Sequence, residues 1–310
     1  MLPECRQLAV GDIQTGVTAI IPHEGDLFHD KCPAASFVIN GYGKSAGLMQ
    51  INELGTIETP LILTNTLSVG TAFDACVRYM TGIYPGIGWN EGTVNPVILE
   101  CNDGFLNDIR GLHVKTEHIF EALSAASDTF SQGAVGAGRG MTCYGLKGGI
   151  GSASRVFEIE GADYTLGTLV MTNFGSTSDL MICGDHVGAK LTGKPEDAKG
   201  SCIMVIATDA PISTRQLQRV CRHAQSGLAR TGGITENGSG EVVVAFSTAN
   251  RMKMNEPVWN MTVLNDSKMS RIFRSVIECV EESIINSMLY AETVKGFGGH
   301  ERRALQEILK

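Results

Sequence analysis

Two runs of this chain, Cys202 to Ala207 and Val242 to Phe246, carry a small or apolar residue at every position and are rich in β-branched side chains. A strand with one wet face alternates polar and apolar residues, whereas a strand apolar throughout has no face to offer water. Such strands need sheets covered on both sides, and helices packed outside two stacked sheets meet that need. Further β-branched runs fall at Val17 to Ile21, Ser36 to Asn40, Pro60 to Thr64, Pro96 to Glu100, Ser154 to Ile159 and Thr165 to Thr172, with Cys202 to Thr208 and Glu241 to Ser247 completing the set. Glycines punctuate these runs, and the layout is that of one layered α/β domain over residues 1–310.

Three helices follow from 3.6-residue periodicity. Residues 67–81 align Val69, Phe73, Cys76 and Val77, and residues 213–229 align Leu217, Val220, Cys221, Ala224 and Leu228. The third spans about 269–294, with Phe273, Val276, Ile277, Val280, Ile284 and Met288 as its stripe. Glu281 lies about 60° from the middle of that stripe, and Glu278 and Glu282 about 120° and 160° away. Glu281 is therefore the carboxylate of this helix that points furthest inward, either toward a partner or snorkelling to water from the helix flank.

The formal net charge of -8, with no long Lys/Arg block, argues against a nucleic-acid or anionic-membrane partner and toward small molecules or peptides. No run reaches the about eighteen apolar residues of a membrane span, and the opening Met1-Leu2-Pro3-Glu4-Cys5-Arg6 is unlike a signal peptide, so the expected location is cytoplasmic. Nine cysteines stand singly without a CxxC pair, and seven histidines without an HExxH, which points to reduced buried thiols and no metal site. His113 and His118 bracket a helix start as capping or solvent-facing residues. The glycine-dense stretch Ser131 to Gly151 lacks Rossmann or phosphate-loop spacing, and reads as backbone that approaches a ligand or threads between layers. GxSxG is absent.

One turn carries chemistry. Thr235-Glu236-Asn237-Gly238-Ser239-Gly240-Glu241 places a hydroxyl between two glycines at the mouth of an apolar strand. Glycines tolerate the turn that lets a serine reach back to the carbonyl before it. A cut there frees an α-amine with an ordinary pKa of about 7.7 to 8.0, able to act as base for the hydroxyl of the same residue. The same heptapeptide also reads as a plain turn before a strand.

Longer ordered segments resemble one family, the L-aminopeptidase/D-esterase and β-peptidyl aminopeptidase group of self-cleaving serine peptidases. They are Asp12 to Thr18, Thr64 to Gly70, Gly140 to Gly151, Ala207 to Pro211, and Gly238-Ser239-Gly240 with Ala245 to Asn250. The resemblance implies a four-layer αββα sandwich like that of N-terminal nucleophile hydrolases, with different connectivity. It implies a cut between Gly238 and Ser239 into chains 1–238 and 239–310, no metal or organic cofactor, and an oligomer of αβ units. It further implies substrates that are short peptides, amides or esters with a free amine, D- or β-residues among them. Ser239 would be the nucleophile, Tyr144 an oxyanion donor, Asn173 the oxyanion-hole asparagine or a turn former, and Glu281 the carboxylate near the nucleophile that holds an ammonium. Cys279 stands where some relatives have serine and is left out of the site; Lys44 stands where many have an acid, which bears on substrate access. The alternatives are an acyltransferase like the self-cleaving ornithine acetyltransferases, which use threonine at the cut, and a non-catalytic scaffold.

Overall fold

The strands sort into two sheets because each apolar run feeds two cores at once. In this computed structural model, which describes residues 2–191 and 200–309, the smaller sheet is built from β1 (Leu2–Val10), β2 (Ile13–Ile21), β4 (Leu61–Asn65) and β5 (Val97–Cys101), in the order β1-β2-β4-β5. The larger sheet contains β3 (Asp30–Gly41), β6 (Ile150–Ile159), β7 (Ala162–Asn173), β8 (Ser201–Thr208) and β9 (Gly240–Ser247), in the order β3-β9-β8-β7-β6. The β8–β9 and β4–β5 pairs are parallel, and the others along these two paths are antiparallel.

Alternation along β8 and β9 shows how the layers form. Ile203, Val205, Val242, Val244 and Phe246 meet Ile20, Leu61, Leu63, Val97 and Leu99 between the sheets. Met204, Ile206, Val243 and Ala245 face the other way, onto α4 (Thr214–Arg230) and α5 (Met269–Leu289). Val17, Ala19, Ile62 and Ile98 of the smaller sheet are covered by α2 (Val69–Ile83) and α3 (Thr116–Ser124). The order of layers is helix, sheet, sheet, helix, as the apolar strands require. Each fully buried aliphatic side chain contributes about 1.5–3 kcal/mol, so both faces of a central strand stabilise the fold.

Local sequence sets the helix ends. Ser213 and Gln216 close a capping box at the start of α4, the Gln216 Oε1 accepting the Ser213 N–H at 2.9 Å. α5 stops at Leu289, short of the expected 294, because Val294–Lys295 leaves to pair with Glu301–Arg302. His118 Nδ1 accepts the Lys115 N–H at 3.0 Å, the capping role expected at the start of α3.

The glycine-dense stretch threads between layers. A side chain at Gly136 would meet Thr18 Oγ1 at 2.6 Å, so only glycine lets this segment cross β2. Lys147, fully buried, fixes the same stretch by donating to the carbonyls of Gly138, Met141 and Gly148 at 3.0, 2.7 and 2.6 Å. Burial pushes its ammonium pKa down, but three carbonyl acceptors match the three donors of the protonated form, which the geometry therefore selects. The nine cysteines are all free, and seven are buried, Cys5 and Cys183 excepted.

Candidate active site

The site lies at one end of the sandwich, where β3, β4, β5 and β7 finish and β8 and β9 begin. Tyr42 and Lys44, Thr66, Glu100 and Asn102, Asn173 to Gly175, Gly200 and Ser201, and Gly238 all border a cavity of about 590 Å³ there. A smaller cavity beside it is bordered by Asp179, Gly232, Ser239 and Glu241, and shares Phe174, Gly175 and Gly200 with the larger one. The peptide joining Gly238 to Ser239 thus spans the partition, with one residue on each side.

The turn before β9 holds this peptide in place from three directions. The Ser239 N–H donates to Glu236 O at 2.9 Å, and the Gly240 N–H to Gly200 O at 3.0 Å. Asn40, near the end of β3, donates through Nδ2 to the carbonyls of Glu236 (3.1 Å), Asn237 (3.3 Å) and Ser239, skipping that of Gly238. The left-handed residue of the turn is Thr235, with φ 58°, and not a glycine beside the serine. Gly240 is needed for a different reason: a Cβ there would lie 2.8 Å from Tyr42 O.

Ser239 is 3% exposed, and its hydroxyl donates to Glu241 Oε1. Glu241 is itself buried at the first paired residues of β9, beside a register shift against β3. Its Oε2 has no hydrogen-bond partner among the described residues. Burial pushes its pKa above the ordinary carboxylate value, and the Ser239 hydroxyl opposes that shift. Sequence reasoning missed Glu241. The available signal was a single charge opening an otherwise apolar strand that has no wet face.

The other expected residues are distributed around this pair. Asn173 borders the larger cavity; its Oδ1 accepts the Thr142 N–H at 2.9 Å and its Nδ2 donates to Asn102 O at 2.9 Å. One Nδ2 proton fills that bond and the second has no protein acceptor among the described residues. Tyr144 is fully buried, edge-on to Phe174 at 5.1 Å, beneath the wall both cavities share. Its hydroxyl bonds Thr231 Oγ1 at 2.9 Å, and because Thr231 donates its own proton to Leu228 O, Tyr144 is the donor of that bond. Burial pushes the phenol pKa upward, so the group stays a donor. An oxyanion role requires Tyr144 to exchange its bond to Thr231 for one to the reacting oxygen.

Glu281 is not brought to the nucleophile. Its carboxylate bonds Arg230 Nη1 at 3.0 Å on the α4–α5 seam and borders neither cavity. It is the least exposed of the three glutamates, at 20% against 38% for Glu278 and 46% for Glu282, as the helix geometry indicated. The buried face of α5, however, joins Ser275, Cys279, Ser283 and Ser287 to Val276, Val280, Ile284 and Met288, and leaves Phe273 and Ile277 of the expected stripe half-buried. Glu281 lies about 160° from Cys279 and Ser283, so counting only apolar residues aimed it too far inward. Cys279 is buried against Leu166 O, also away from Ser239.

Three further groups give the larger cavity its charge. Glu100, buried at the end of β5, accepts the Lys44 N–H at 2.7 Å and the Thr66 hydroxyl. The Lys44 ammonium lies over the Tyr42 ring at 4.8 Å, and Arg302 stacks on Phe105 at 3.7 Å. Among the described residues no cluster of three or more His, Cys, Asp or Glu is arranged to hold a metal ion, and no helix is long and apolar enough to cross a membrane.

Known proteins resemble this chain over nearly its whole length. The model of peptidase family S58 matches residues 4–302. A β-peptidyl aminopeptidase, BapA of Sphingosinicella microcystinivorans, is 38% identical across 94% of this chain and 77% of its own length. The crystal structure of the PH0078 protein from Pyrococcus horikoshii OT3 superposes with a TM-score of 0.96 at 52% identity, covering 99% of this chain and 90% of that one. The L-aminopeptidase D-Ala-esterase/amidase of Ochrobactrum anthropi, described as a prototype of the serine aminopeptidases and a variant of the Ntn hydrolase fold, gives 0.92 at 32% identity over 98% and 88%. These matches favour a hydrolase over the acyltransferase and scaffold alternatives, and the chain belongs to peptidase family S58, as a serine aminopeptidase.

Proposed function

We propose that the chain cuts itself between Gly238 and Ser239, into 1–238 and 239–310, and that the freed Ser239 then removes N-terminal residues from short peptides, amides or esters. One observation carries this reading: the Gly238–Ser239 peptide spans two cavities at the mouth of β9, with Ser239 Oγ already bonded to a buried carboxylate. In the mature enzyme Ser239 Oγ attacks the substrate carbonyl and the α-amine of the same residue takes its proton. The resulting acyl-enzyme is released by water. Asn173, with a spare Nδ2 proton at the cavity wall, supports the oxyanion. Tyr144 joins it once released from Thr231.

The carboxylate suited to a substrate ammonium is Glu100, which lies buried in the wall of the larger cavity, and not Glu281. Lys44 and Arg302 border the same cavity and suit the carboxyl end of a short peptide. Activities named for the relatives, on β-peptides, L-amino-acid substrates and D-alanyl esters or amides, set the substrate classes to screen. Exposed Trp89 and Val258, at 91% and 71%, offer apolar surface for the oligomer of αβ units that we infer. We place the enzyme in the cytoplasm.

Ser239→Ala tests the proposal. The variant should remain a single chain of 310 residues and show no turnover of aminoacyl amides, whereas wild type yields two masses, the smaller beginning Ser239-Gly240-Glu241. Turnover by the alanine variant would overturn the mechanism.

A further inference from the structure

The uncut chain lacks the base that the mature enzyme uses. Before cleavage the Ser239 nitrogen is an amide that donates to Glu236 O at 2.9 Å, and an amide nitrogen accepts no proton. A serine hydroxyl is a weak nucleophile until a neighbour takes its proton. We propose that Glu241 is that neighbour: its Oε1 accepts the Ser239 hydroxyl proton as Oγ attacks the carbonyl carbon of Gly238, a role that rests on the Gly238–Ser239 cut proposed above.

The step balances in atoms and protons. The Oγ–C bond forms and the proton passes to Glu241; the C–N bond to Ser239 then breaks, and Glu241 returns the proton to the departing nitrogen. An ester now joins Gly238 to Ser239 Oγ. Water hydrolyses it, leaving the carboxylate of Gly238, the free hydroxyl and the α-amine. Glu241 ends as it began, an ionised carboxylate, now beside an amine that takes over as base.

Geometry supports the assignment independently of any titration. The hydroxyl donates to Glu241, so its lone pairs are free to attack. Asn40 holds the flanking carbonyls and does not bond that of Gly238. Glu241 Oε2 has no hydrogen-bond partner among the described residues, so that side of the carboxylate is not tied to another group. The groups facing it are Asn40 on β3 and Cys202 on β8 in register, the Cys101 thiol from β5, and Asp179 and Glu236 around the small cavity. Among the described residues no lysine or arginine borders that cavity. Burial with no cation at that cavity makes this carboxylate a stronger base than an exposed glutamate.

The test follows cleavage of newly translated full-length chain, captured cold and moved to buffers from acidic to neutral pH, by intact mass. Wild type should cut faster as pH rises through the elevated Glu241 pKa. Glu241→Gln should cut about 100-fold or more slowly and lose that acidic limb. Glu241→Asp should restore the limb with a reduced rate. Uncut Ser239→Ala provides the folded standard for circular dichroism and melting temperature. Glu241→Gln cutting at the wild-type rate overturns the inference and leaves the cleavage site standing, whereas an uncut wild-type chain overturns both. If the glutamine variant does not fold, the wild-type profile decides, and a rate flat across the acidic range overturns the role of Glu241.

Discussion

Two buried or half-buried glutamates divide this molecule. Glu241, at the mouth of β9, has a serine hydroxyl for one oxygen and no partner for the other among the described residues. Glu281, on the α4–α5 seam, has a guanidinium. A carboxylate matched by a cation is tied to that partner and fixed in place. A carboxylate buried without a cation is costly while charged and gains by receiving a proton. Proton transfer therefore belongs at the mouth of the sandwich, and helix docking at the seam.

The comparison is broken most severely by disturbing how the serine is held. Asn40→Ala removes the amide that gathers the Glu236, Asn237 and Ser239 carbonyls. The turn should loosen and cleavage should slow by about 100-fold, the cost of misplacing a reacting group by about 1 Å. Mass-monitored cleavage at fixed pH checks this. The effect should lie in rate and leave the pH profile unshifted, since Asn40 does not titrate. A shifted profile would mean that Asn40 also tunes the group that takes the proton.

Tyr144 connects the two regions and should give an intermediate effect. Its ring lies under Phe174 and Gly175 at the cavity wall, while its hydroxyl bonds Thr231 at the end of α4, one residue beyond Arg230. Tyr144→Phe removes one buried hydrogen bond, which should cost about 1 kcal/mol in a denaturant titration. If the phenol also donates to the oxyanion after exchanging Thr231, kcat for aminoacyl amides should fall about 100-fold with KM little changed. Loss of stability with kcat intact would confine Tyr144 to the Thr231 bond.

The sequence makes the layers legible and hides the proton path. All eight expected strand runs fall on observed strands, six wholly inside them and two, Pro60 to Thr64 and Pro96 to Glu100, missing only the opening proline, because apolar runs without a polar face have few places to go. β1 escapes that logic: it is a sheet-edge strand carrying Pro3, Glu4 and Arg6, which an edge tolerates and an interior strand does not. α1 (Leu48–Leu54) escapes because seven residues give too little periodicity. Ser239 is legible because its chemistry depends on the residues beside it. Glu241 and Glu100 are not, since each sits at the end of an apolar run, and only the folded turn and the neighbouring strands show what it touches. The bond of Tyr144 to Thr231 is likewise invisible, as 87 residues separate the partners.

The smallest effect should come from Glu281→Gln, and it sharpens the contrast most directly. Arg230 is 52% exposed, so water already solvates half of the pair, and losing the ion pair should cost about 0.2–1 kcal/mol. The amide oxygen of glutamine can still accept from Arg230, which brings the expected cost toward the lower end. Cleavage and kcat should stay at wild-type values, because no cavity bordered by Gly238 or Ser239 includes Glu281. KM for substrates with a free amine should also be unchanged, whereas Glu100→Gln should raise it for those substrates and spare N-acylated esters. A selective rise in KM in the Glu281 variant would mean that the seam reaches the substrate, and the division between a proton-carrying glutamate and a docking glutamate would fail.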